Sequence, residues 1–160
     1  MMLVLRFSHI FFGALWVGMI FFTVFFLMPA VMESGPEGGK LMAALQRRRI
    51  MVITPIFALI TLVSGVLLFD RIAGGQHAAL MATPMGMALA FGALSSIIAF
   101  LLGIIVMRPA MTKVATLSQE DPVKHQAEIR RLRARGNVLS RVVAIMLLFT
   151  LAAMAVARYL

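Results

Sequence analysis

The 160-residue sequence contains no cysteine, which excludes disulfides and thiolate-held metals. Acidic residues are scarce: six, against fifteen Lys and Arg. Glu33, Glu37, Asp70, Glu120, Asp121 and Glu128 all fall between the long apolar runs or at their ends. No carboxylate pair lies inside such a run. An ion-coupled transporter is disfavoured, because it needs an intramembrane Asp, Glu or Lys to carry the coupling charge. There is no His-Glu-x-x-His, no phosphate-binding loop and no nucleophile beside an obvious base. Enzyme chemistry without a cofactor is not expected.

What the chain has in abundance is apolar surface. It is 62% hydrophobic and 13% charged, with a mean hydropathy of +1.00. One globular core of this length would be overfilled, so the composition points to an integral membrane protein. Crossing about 30 Å of hydrocarbon takes roughly 20 apolar residues at about 1.5 Å per residue. Four segments qualify, approximately 3–31, 50–69, 85–107 and 139–159. The first is far longer than a signal core and has no Lys/Arg-rich head, so it is expected to stay in the chain.

Basic residues set the expected orientation. The connection 32–49 carries Lys40, Arg47, Arg48 and Arg49. The region from Arg108 to Arg141 carries eight more, leaving only Arg6, Arg71 and Arg158 for the opposite side. The positive-inside rule then puts both long connections, 32–49 and 108–138, in the cytoplasm and both termini outside. The net charge of +9 reads as a topology signal with a preference for anionic lipid headgroups. Nucleic acid is not the expected partner, because the basic residues flank spans and form no soluble module.

The spans read as two tandem hairpins. The first span exits through "MPAVM" and the third through "RPAMT", and each following connection ends in arginines that lead into the returning span. Both hairpins would run in the same sense, as a parallel repeat. The fold class is thus all-α, an integral membrane four-helix bundle. Small residues recur at helical spacing: Ala58, Thr61 and Gly65 on the second span, and Gly92, Ser96, Ala99 and Gly103 on the third. Ala144, Thr150, Ala153 and Ala157 do so less regularly on the fourth. Such stripes let backbones approach closely; they also leave room for a flat cofactor.

His9 is the residue that needs explaining, because lipid offers an imidazole no hydrogen-bond partner. Arg6, His9, Gly13 and Trp16 share one helical face. Counted from Leu3, His9 lies about 9 Å below the outer surface. The series fits a haem edge, with propionates on Arg6, iron on His9, porphyrin over Gly13 and Trp16 as aromatic support. Met154 falls at matching depth as a candidate opposite ligand. Gly65 and Gly92 would leave a cavity at that level, and Arg71 and Arg158 are further propionate partners. A structural alternative has comparable weight: an intramembrane histidine can simply bond a neighbouring helix. A second constellation, His77, Met81, Met85 and Met87, offers imidazole and thioether donors suited to Cu(I), with His9 joining if the segment around Pro84 bends inward.

The first span, "LRFSHIFFGALWVGMIFFTVFFLMPA", resembles the opening of small bacterial four-span proteins of the copper-resistance-D-like type. These are related more distantly to the membrane protoporphyrinogen oxidase of the HemJ kind. The shared pattern is a His near the outer end, Trp-x-Gly one to two turns later and Pro-Ala at the exit, here His9, Trp16-Val17-Gly18 and Pro29-Ala30. The second span's "ITLVSGVLLFDR" is also similar. The resemblance implies a four-helix bundle in the bacterial inner membrane associated with haem b or copper, His9 being the ligand. The oxidase-like relatives place a basic residue soon after the first span, where this chain runs "VMESGPEGG", so that activity is not carried over. Three functions follow as expectations: a haem-b protein in redox or quinol-linked electron transfer, periplasm-facing copper binding or transport, and a cofactor-free accessory subunit. The expected partners are anionic lipid, a quinone or a larger membrane complex, with a second copy of the chain left open.

Overall fold

A computed structural model describes residues 1–121 and 123–160, with the backbone alone at Pro36. Four helices are long and apolar enough to cross a membrane: α1 (Met2–Glu33), α3 (Ile50–Ala73), α5 (Pro84–Glu120) and α6 (Gln126–Ala157). Two shorter helices, α2 (Gly35–Arg47) and α4 (His77–Met81), lie in the first and second connections. Helix α1 packs along α3 and α5 along α6, with lighter contacts from α3 to α5 and from α1 to α6. The result is an all-α four-helix bundle of two hairpins in a multi-pass membrane protein. Its outer surface suits lipid: Phe7, Ile10, Phe22, Phe91 and Phe149 are all more than half exposed, an arrangement that water would penalise.

The Pro-Ala exits are matched in the backbone as well as in sequence. A π-helical turn spans Thr23–Leu27 just before Met28-Pro29-Ala30, and another spans Leu102–Met107 just before Arg108-Pro109-Ala110. Proline has no N–H to donate and its ring crowds the carbonyl four residues earlier. Widening the helix by one residue relieves that crowding without ending it. Both helices therefore continue through their prolines.

The second long connection is helical over most of its length. Helix α5 has 37 residues, about 55 Å at the helical rise and well beyond a hydrocarbon core of about 30 Å. It continues from Arg108 to Glu120, and α6 resumes at Gln126. The connection 108–138 is thus mostly a two-helix stalk. Val114 and Leu117 face Ile129 and Leu132 across it, and Lys113 pairs with Glu128 at 2.5 Å. At its tip Asp121 Oδ1 accepts the backbone N–H groups of Val123 and Lys124. In the first connection Gly35 turns the chain with φ 53°, and α2 folds back against the end of α1.

The bundle core is Trp16 and Val17 of α1, Ala58 of α3, Ala99 of α5, and Val143 and Leu147 of α6. Trp16 fills the centre, only 4% exposed, with Phe100 edge-on at 6.4 Å. Hydrogen bonds between spans mostly knit each hairpin. Ser95 donates to the Met146 carbonyl and Thr150 to the Gly92 carbonyl, each at 3.3 Å. Between the hairpins, among the described residues, one weak contact runs from Asn137 Nδ2 to Met32 Sδ at 3.8 Å.

At the end bearing the chain termini, α4 folds over the start of α5. Thr83 caps α5, its hydroxyl accepting from Gly86 N at 3.0 Å and donating to the Leu80 carbonyl at 2.7 Å, with Pro84 opening the helix. Gly86 sits so close beneath α4 that a Cβ would lie 1.9 Å from the Leu80 carbonyl oxygen. Gly86→Ala is therefore expected to cost about 2 kcal/mol or more through backbone displacement. Gly18→Ala, whose Cβ would meet nothing within 4 Å, should be neutral or slightly stabilising. Unfolding of the two variants in detergent, followed by circular dichroism, checks the contrast.

Candidate functional site

His9 and the second span meet at the terminal end of the bundle. His9 Nδ1 lies 2.9 Å from the Thr61 carbonyl oxygen. A carbonyl only accepts, so Nδ1 carries the proton and Nε2 keeps its lone pair. The same oxygen takes the Ser64 hydroxyl at 3.1 Å, and that hydroxyl also donates to the Ile60 carbonyl at 2.6 Å. Thr61 Oγ1 returns its proton to the Phe57 carbonyl at 2.7 Å. The hydroxyls of Thr61 and Ser64 and the Nδ1 of His9 all have partners within the protein, as a water-free environment requires.

Gly65 makes the approach feasible. A Cβ there would stand 2.8 Å from His9 Cε1 and 3.1 Å from Nδ1. The imidazole lies flat in the notch left by the missing side chain, one helical turn beyond Thr61. Sequence spacing had placed Gly65 at the depth of His9. It had not indicated that the ring itself fills the space, or that the Thr61 carbonyl is its partner. The one available signal was the Thr61-x-x-x-Gly65 pair at that depth, because a missing side chain one turn away uncovers a helix carbonyl.

The remaining expected residues scatter. The cavity anticipated around Gly13, Gly65 and Gly92 is packed, which corrects that expectation. Thr61 Cγ2 would meet a Cβ on Gly13 at 3.3 Å, and Met154 Cε and Sδ would meet one on Gly92 at 2.9 and 3.6 Å. Met154 thus fills the α5–α6 seam as His9 fills the α1–α3 seam. Trp16 belongs to the central core and supports no open face. Arg6, Arg71 and Arg158 are exposed at the terminal end, with the Arg158 guanidinium 5.0 Å from the Tyr159 ring centroid.

The outer methionine cluster is also divided. His77 Nε2 meets Asp70 Oδ1 at 3.1 Å and its ring leans on Phe69, tying α4 to the end of α3. Met81 and Met87 are exposed and Met85 is half-buried. Among the described residues no three His, Cys, Asp or Glu side chains gather closely enough to hold a metal. The donor chemistry of His9 fits a haem: a histidine ligand typically donates one ring N–H to a carbonyl and offers the other nitrogen to the metal. At this level Thr61 and Met154 pack against Gly13 and Gly92, and His9 is partly exposed.

No family model, curated protein or solved structure matches the chain.

The His9–Gly65 fit has a testable energetic signature. Gly65→Ala should destabilise the protein by about 1–3 kcal/mol, because the new methyl overlaps the imidazole. In the His9→Ala background the same change should cost far less. A double-mutant cycle should therefore give a coupling of at least about 1 kcal/mol, measured by reversible unfolding in detergent.

Proposed function

We propose that this protein binds a b-type haem in the bacterial inner membrane, its termini on the periplasmic side. His9 Nε2 would hold the iron, and the group would supply one-electron or quinol-linked redox chemistry. The observation that carries the reading is the bond from His9 Nδ1–H to the Thr61 carbonyl. It fixes the ring plane and the tautomer. Bound haem supplies one-electron chemistry between ferric and ferrous iron. The chain's own contribution is to orient the ligand and exclude water, with Arg6, Arg71 and Arg158 available to propionates at the membrane surface. Met154 is not assigned to iron in this reading, because its thioether packs on Gly92.

A second reading rests on the Gly65 notch. A ring seated that closely also serves as a lock between α1 and α3, and the chain is then a cofactor-free accessory subunit. A membrane hydrogen bond of this kind contributes about 0.6–1.7 kcal/mol.

An absorption spectrum of the detergent-extracted protein, oxidised and then dithionite-reduced, separates the two. Haem binding predicts a Soret band with stoichiometric iron, lost in His9→Ala and retained in Met154→Leu. A folded, colourless and iron-free protein after expression with ample haem contradicts the proposal and leaves the lock.

A further inference from the structure

An open concavity lies at the opposite end, along α5 where it leaves its apolar run. It is a groove of about 600 Å³ lined by Ile104, Arg108, Pro109, Thr112, Lys113 and Glu120, among others. Its composition changes with height. Ile104 belongs to the apolar run, and Arg108 is the first charged residue after Arg71. At the helical rise Arg108 stands about 6 Å above Ile104, Lys113 about 7.5 Å above Arg108, and Glu120 about 10 Å higher still. The headgroup layer on each side of a bilayer is about 5–8 Å thick. Arg108 and Lys113 therefore bracket that layer, while Glu120 stands beyond it.

We propose that this groove is a binding site for one anionic phospholipid of the leaflet on the basic side. The phosphodiester is held by the Arg108 guanidinium and then by the Lys113 ammonium. Pro109 and Ile104 form the apolar floor that takes the glycerol and the start of an acyl chain. The hydroxyls of Thr112 and Thr116 already donate to the carbonyls of Arg108 and Thr112, so the cations do the recognising. Lys113 is tethered to Glu128 of α6 at 2.5 Å, which fixes the ammonium and leaves two of its N–H groups free.

The charge gradient selects the headgroup. A zwitterionic lipid would push its own cation against Arg108; the carboxylate at this height, Glu128, is already paired with Lys113, and Glu120 stands higher. An anionic headgroup brings no such cation. The other Pro-Ala exit acts as an internal comparison. There Met28 stands where α5 has Arg108, and the space beside Pro29 is only about 20 Å³. That space also has a cation, Arg141, in its lining, but it is too small to seat a headgroup.

Native mass spectrometry of the full chain in detergent tests this, with added phosphatidylglycerol, phosphatidylcholine of the same acyl chains, or inorganic phosphate. One phosphatidylglycerol should be retained in preference to phosphatidylcholine, and inorganic phosphate should not displace it. Arg108→Gln with Lys113→Gln should weaken retention about tenfold or more, each cation near the surface contributing about fivefold. Lys124→Gln removes one charge from the tip of the stalk and should weaken retention less than about twofold, because Lys124 lies beyond Glu120 and more than about a screening length above Arg108. A loss from Lys124→Gln as large as that from Lys113→Gln would show a diffuse basic surface and overturn the site. So would equal retention of the two lipids, or displacement by phosphate. If the Arg108 double variant loses its helical circular dichroism, Lys113→Gln alone should still weaken retention several-fold, and no change there overturns the proposal.

Discussion

The terminal half of this bundle is organised around one backbone carbonyl, that of Thr61, and the imidazole it holds. In hydrocarbon a polar group has only the protein to bond to, so an unpartnered histidine there would be costly. The Thr61 carbonyl removes that cost for one nitrogen. It is reachable because Gly65, one turn on, has no side chain in the way. Sequence and packing meet at this contact: a glycine uncovers a carbonyl, and the carbonyl takes the Nδ1 proton of the ring.

The same device recurs without the chemistry. Met154 seats on Gly92, and the Thr61 methyl seats beside Gly13. Without a hydrophobic drive between helices in lipid, close backbone approach and dispersion hold each seam. Both hairpins are well knit, and the contact between them depends on the central layer of Trp16, Ala58, Ala99 and Leu147. The protein's own side chains fill these notches.

Much of the fold was legible in the sequence because lipid imposes a simple requirement on span length and polarity. The four apolar runs, the two hairpins and the matched Pro29-Ala30 and Pro109-Ala110 exits all followed from it. The stalk was legible only as helical tendency. Its packing depends on Val114 and Leu117 meeting Ile129 and Leu132, a long-range pairing that hydropathy over a polar stretch obscures. The π-helical turns were hidden because a proline inside a helix predicts a kink or a widened turn equally well. At the site, depth matching correctly grouped His9 with Gly65. It misjudged Gly65 and Gly92 as open space, because a small residue marks close approach without saying whether a cofactor or a neighbour closes in. His77 was grouped with methionines by proximity in sequence, whereas its ring bonds Asp70 seven residues earlier across the Gly74-Gly75 turn.

The protonation state of one ring tests the account most directly. Solid-state ¹⁵N NMR of the protein in bilayers, labelled at histidine and assigned by comparison with His9→Ala, reports which His9 nitrogen bears the proton. A neutral ring with protonated Nδ1 and a bare or iron-coupled Nε2 is the predicted result. A ring protonated at Nε2, or freely exchanging between tautomers, would mean that the Thr61 carbonyl does not hold it, and the ligand role built on that bond would fail.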